Sequence, residues 1–119
     1  MLTCYYSFVK GYIFRYTTDM TSQKETYKPR SDREKLLVKI LTSLKTESET
    51  IALLRDMLTL AEIEEFANRI TIAKLLTEGL PYLEIAKKVG TSTTTVTRVA
   101  HWLNNGCGGY LSVLNKLKK

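Results

Sequence analysis

From about Ser31 onward the apolar residues recur at helical spacing almost to the C-terminus. Asp32 is positioned to cap a helix reaching Leu44, with Leu36, Leu37, Ile40, Leu41 and Leu44 on one face. A second helix opens at Thr46 or Ser48 and carries Ile51, Leu53, Leu54, Met57 and Leu58. Thr59, followed three residues later by Glu62, has the form of a capping box and starts a third. That helix runs to a glycine stop at Gly79. Its first half is amphipathic, with Ile63, Phe66 and Ile70 set against Glu64, Glu65 and Asn68. Its second half, ITIAKLL, is apolar nearly all round, and such a helix must be buried all round. One small chain has difficulty enclosing it, so the pattern predicts a homodimer whose partner helices do so. Leu80-Pro81 opens a short fourth helix ending at Gly90, and Thr91 or Ser92 caps a fifth that ends near Asn104. NNGCGG reads as a loop, and Tyr110 to Leu117 as a last short helix. The expected fold is all-α, about six helices, with no strand candidate of substance and no internal repeat.

Within this succession, residues 81–103 (PYLEIAKKVGTSTTTVTRVAHWL) read as a helix-turn-helix. Ala86 is small where the second helix crosses close over the first. Gly90 sits at the turn, where a positive φ is cheap for glycine. Ile85, Val89, Val96 and Val99 attach the pair to a third helix. Residues 92–105 on a wheel of ~100° per residue divide cleanly. Val96, Val99, Ala100 and Leu103 face inward, while Thr94, Thr97, Arg98, His101 and Asn105 face outward, with Thr95 and Trp102 on a flank.

That outward face suits the DNA major groove. Threonine hydroxyls can donate to phosphates and threonine methyls can meet thymine methyls. Arg98 can grip a guanine edge or a phosphate, and His101 can donate to either. The run Thr93, Thr94, Thr95 is poor helix-forming material, so contact explains it better than propensity. Lys87 and Lys88 on the preceding helix suit phosphates, though plain solvation accounts for them equally well.

Charge strengthens this picture. The net charge is +6, unevenly spread. Residues 81–119 hold six Lys/Arg against one acidic residue, residues 47–78 hold three against seven, and residues 1–46 hold nine against four. A basic half containing the helix-turn-helix supplies the sequence-independent part of nucleic-acid affinity. The chemistry of catalysis is missing. His101 is the only histidine, so no histidine-based metal site or triad can be assembled from one chain. Cys4 and Cys107 form neither a disulfide framework nor a zinc spacing, which fits a reducing cytosol. No apolar run is long enough to span a membrane.

The N-terminus differs. Residues 1–19 hold six of the eleven aromatics (Tyr5, Tyr6, Phe8, Tyr12, Phe14, Tyr16) without helical period. Lys10 and Arg15 interrupt the apolar run, which rules against a signal peptide. Met20 then opens a polar stretch, TSQKETYKPRSD. We expect residues 1–30 to be a disordered or non-native extension, with Met20 as the natural start. A mobile aromatic arm is the alternative. The domain proper is residues 31–119.

The string LLRDMLTLAEIEEFANRITIAKLLTEGLPYLEIAKKVGTSTTTVTR, residues 53–98, resembles the Trp repressor family. The tail RVAHWLNNGCGGY looks like the YerC/YecD branch rather than the tryptophan-binding members. The resemblance implies an all-helical, intertwined homodimer. Its two reading helices would enter successive major grooves of palindromic double-stranded DNA, about one helical turn apart. It also implies an effector pocket, whose matching residues here are Thr59, Arg69 and Arg98. Where tryptophan-binding members have Gly and Ser after that last Arg, this chain has Val99 and Trp102. These would crowd or fill an indole slot.

The function expected is therefore a cytoplasmic bacterial transcription regulator and not an enzyme. It would be a homodimeric repressor with no cofactor, steered by a small molecule other than tryptophan or by none. Steering would act through spacing, a ligand setting the tilt of the reading helices and so their fit to two half-sites. The DNA-contacting residues expected are Lys87, Lys88, Thr93, Thr94, Thr95, Thr97, Arg98 and His101. A helical protein-interaction adaptor and a non-specific nucleic-acid binder are the alternatives.

Overall fold

The computed structural model describes residues 5–9, 12–16 and 25–118, with the strand residues described by backbone alone. Six helices follow one another: α1 Asp32–Ser43, α2 Glu47–Met57, α3 Leu60–Thr77, α4 Tyr82–Val89, α5 Thr93–Asn105 and α6 Gly109–Leu117. Ahead of them β1 Tyr5–Val9 pairs antiparallel with β2 Tyr12–Tyr16, in a register that sets Tyr5 opposite Tyr16 and Val9 opposite Tyr12. The sequence offered no strand candidate here, and the hairpin corrects that reading. Two five-residue runs are too short for a period of two to stand out, but aromatic and β-branched residues favour the pleated backbone. The expected boundary at Met20 lies outside the described residues.

Local chemistry accounts for the helix boundaries. Ser31, not Asp32, caps α1: its hydroxyl accepts from the Glu34 amide at 3.2 Å, and Asp32 is the first helical residue. There its charge favours the positive end of the helix dipole. Thr46 caps α2 in a full capping box with Glu49. Thr59 and Glu62 form the same reciprocal pair ahead of α3, with amide bonds of 2.8 and 3.2 Å. α3 ends in a Schellman turn. Gly79, at φ 85°, donates to Leu76 O, and Leu80 donates back to Leu75 O. Ser92, one of the two residues expected to do so, caps α5 through the Thr95 amide.

The chain divides into two compact units, residues 27–67 and residues 1–26 with 68–119, the division falling inside α3. The second contains the core. Ile72, Ala73 and Leu76 of α3 meet Ile85 and Ala86 of α4, Val96, Val99, Ala100 and Leu103 of α5, and Leu114 of α6. Ile72, Leu76, Ile85 and Val96 are almost wholly enclosed, and each such side chain contributes ~1.5–3 kcal/mol by leaving water. The other unit contrasts with this: no residue of α1 or α2 is buried. Nor is the second half of α3 enclosed on all sides within the chain. Ile72, Ala73 and Leu76 are buried, whereas Ile70 is exposed and Leu75 half-buried. No described helix is long and apolar enough to cross a membrane.

Candidate nucleic-acid interface

α4 and α5 form the helix-turn-helix, and the turn between them is built around Gly90. Gly90 lies at φ 77°, and both its amide and that of Thr91 donate to Ala86 O, at 2.9 and 3.0 Å. A side chain would strain that left-handed conformation, so glycine is favoured there. Ala86 sits in the core beside α5, where a larger side chain would hold the helices apart.

Burial on α5 matches the wheel drawn from the sequence. The four inward residues are at most 5% exposed. Thr93, Thr94, Thr97, Arg98 and His101 are exposed, while Thr95 is half-buried. Asn105, placed outward by the wheel, is half-buried, and its amide donates to His101 O at 3.1 Å.

The threonines are chemically unequal. Thr95 Oγ1 lies 3.1 Å from Ser92 Oγ and shares the N-cap with it. Thr97 Oγ1 donates to Thr93 O at 2.9 Å. Thr94 makes no side-chain hydrogen bond among the described residues, and the Arg98 guanidinium has no ion pair there. Lys88 lies 3.9 Å from Glu84 with both groups half in water, a pairing worth little. Lys87 is exposed. The Tyr82 hydroxyl at the start of α4 has its pKa raised by burial.

The five residues of the expected effector pocket have divergent surroundings. Thr59 belongs to the 27–67 unit, where its hydroxyl donates to Glu62 at 2.9 Å as part of the helix cap. The other four belong to the second unit. Arg69 is exposed on α3, and Arg98 is exposed on α5. Val99 is 4% exposed and packed in the core. Trp102 is half exposed, with its ring edge-on to His101 at 5.4 Å between centroids.

Two residues escaped the sequence reading. Gly106 is buried at the end of α5, and a Cβ there would collide with the Trp102 carbonyl oxygen. Composition alone made it one glycine of a loop. Leu83 is an exposed apolar residue on α4, a helix whose Ile85 and Ala86 turn inward. A wheel drawn for α4 as well as α5 would have found it.

A threonine-faced helix packed into a four-helix core and set by a glycine turn is the arrangement of a helix-turn-helix DNA-binding regulator. Comparison with known proteins makes this definite. The family model for the Trp repressor protein matches residues 33–118, and the chain belongs to that family, in its YerC-type branch. It is 35% identical over 79 residues to YerC of Bacillus subtilis, a protein described as uncharacterized, spanning 66% of this chain and 76% of YerC. Its fold is similar to the crystal structure of a TrpR-like protein from Eubacterium eligens, with a TM-score of 0.72 and 36% identity over 75% of this chain and 92% of that one. A Trp repressor candidate from Staphylococcus aureus is similar at TM-score 0.71 and 27% identity, over 75% and 89% of the two chains.

Proposed function

We propose that the protein represses transcription as a homodimer, placing two copies of α5 in successive major grooves of a palindromic operator. The observation that carries this reading is the outward stripe of α5, where Thr94, Thr97, Arg98 and His101 are exposed and the guanidinium has no ion pair among the described residues. Thr93 and Thr95 stand at its start, and Lys87 and Lys88 add phosphate contacts from α4. The domain that does this is residues 31–119.

Support for pairing comes from α1 and α2. Leu36, Leu37, Ile40, Leu41 and Ile51 are all at least 39% exposed in the single chain. Apolar surface on that scale marks an interaction site. A second copy of the same chain is the occupant that family membership implies.

Control by tryptophan is not part of the proposal. Val99 fills core space, and Trp102 brings an indole of its own to a position that the family resemblance matches to the ligand site. The effector, if one acts, is a different small molecule. Calorimetry with tryptophan tests this, and clear micromolar binding would overturn it.

The central experiment is selection of bound sequences from random DNA by the purified protein, followed by competition with random DNA. A palindromic sequence that survives competition supports the reading. Binding abolished by random competitor would mean a non-specific nucleic-acid binder, and no DNA binding at all would leave a protein adaptor.

A further inference from the structure

The outward face of α5 is chemically narrow. No Asp or Glu follows Glu84, and no Gln follows Gln23. The two carboxamides of the helix, Asn104 and Asn105, donate to Ala100 O and His101 O at 2.8 and 3.1 Å. They also stand at its C-terminal end, whereas a recognition helix meets base edges with its N-terminal residues. In the major groove, adenine is read by carboxamides and the cytosine amino group by carboxylates. This helix presents neither group to the groove.

What it does present is specific. The Thr97 hydroxyl gives its proton to Thr93 O at 2.9 Å, so it has none left for a guanine or thymine acceptor. That bond also restricts the rotation of the side chain; the oxygen can still accept from either amino-bearing base, and the methyl is the group that singles out one base. A methyl packs against the C5-methyl that only thymine carries in this groove. Arg98, on the next residue, has a guanidinium with no ion pair among the described residues. Its paired N–H groups fit the O6 and N7 acceptors of guanine. Thr95 is excluded from base reading by its role in the cap with Ser92 and by its partial burial.

We propose that α5 reads a half-site through thymine and guanine, the thymine by its methyl group at Thr97 and the guanine by Arg98, with no carboxamide or carboxylate contact to the other two bases. This rests on the DNA-binding reading above, and the test separates the two. Once selection with the full-length protein has defined an operator, each thymine is replaced by deoxyuridine, which lacks only the methyl. Each guanine is replaced by 7-deazaguanine, which lacks the N7 acceptor. Wild-type protein should lose about fivefold or more in affinity at one thymine and at one guanine of each half-site. Thr97→Ser keeps the hydroxyl bond but not the methyl, and should bind the thymine and deoxyuridine operators alike. Thr97→Val keeps a methyl and should still prefer thymine. Arg98→Met keeps an unbranched stem but has no donor, and should bind guanine and 7-deazaguanine operators alike. Wild-type indifference to every deoxyuridine, or full thymine preference in Thr97→Ser, overturns the thymine assignment. Full 7-deazaguanine sensitivity in Arg98→Met overturns the guanine assignment. If no sequence is enriched from the random pool, the sequence-specific DNA-binding reading falls and takes this inference with it. An enriched operator that ignores both base changes removes the inference alone.

Discussion

The 27–67 unit and the 68–119 unit are built from similar helices, yet they solve the burial problem differently. In the second, α3 to α6 contribute ten buried apolar side chains to one cluster. In the first, α1 and α2 have full sets of leucines and isoleucines and bury none of them. Its order comes from backbone and caps: the Thr46–Glu49 box, the Thr59–Glu62 box, and a Tyr27 hydroxyl donating to Glu34 at 2.6 Å. Local bonds of this kind stabilise helices modestly, and most helical stability in proteins comes from packing. One half of the chain therefore completes its own core, and the other has its apolar face unmet.

The sharpest way to break this contrast is a pair of truncations. Leu76→Ala should cost ~2–5 kcal/mol in denaturant unfolding, because Leu76 is 1% exposed in a close-packed cluster. Leu37→Ala should cost almost as much if a second copy covers the α1 face, and its thermal midpoint should then depend on protein concentration. A Leu37→Ala protein as stable as wild type would mean that this face stays in water and that the pairing is wrong.

Glycines sharpen the picture of the 68–119 unit. Gly106→Ala forces a methyl against the Trp102 carbonyl, and a loss of ~1–3 kcal/mol is expected. Gly90→Ala meets no atom within 4 Å, so only its positive φ is penalised, at ~1–2 kcal/mol. Equal stability of the Gly106→Ala protein and wild type in urea titration would show that the end of α5 yields easily.

Capping should matter most where packing is absent. Thr46→Ala removes a full capping box and should cost ~1 kcal/mol, read as lost helicity by circular dichroism. The same change at Ser92 should lose no more helicity, since α5 is also held by four buried side chains.

The smallest expected effect is acid sensitivity confined to the 27–67 unit. Glu34 is held below the usual glutamate range by the Tyr27 hydroxyl and the Arg30 amide, Glu49 by the Lys45 and Thr46 amides, and Glu62 by the Thr59 amide and hydroxyl. A carboxylate whose pKa is lower folded than unfolded stabilises the fold above the unfolded value. That contribution is lost as pH falls through the folded value. Amide exchange followed from neutral pH to below about 4 should therefore show α1 and α2 loosening before α5. Simultaneous loosening of all the helices would remove the distinction.

Much of this was legible in the chain itself. Helix starts and stops followed from Thr46, Thr59, Gly79, Gly90 and Ser92, because caps and glycine turns depend on neighbours within a few residues. The inward and outward sides of α5 followed from period alone, because a helix has one geometry. The hairpin at residues 5–16 did not follow, because its two strands are short and define each other by pairing.

The sequence by itself thus determined which residues of 31–118 form helices and which face of α5 is exposed. Tertiary structure decided the rest. It gathered apolar residues of α3, α4, α5 and α6 into one cluster, Val99 among them. It also left the leucines of α1 without cover in one chain. The physical reason is the same in each case. Periodicity assigns a side chain to a face, but what its apolar surface meets depends on elements brought close in space.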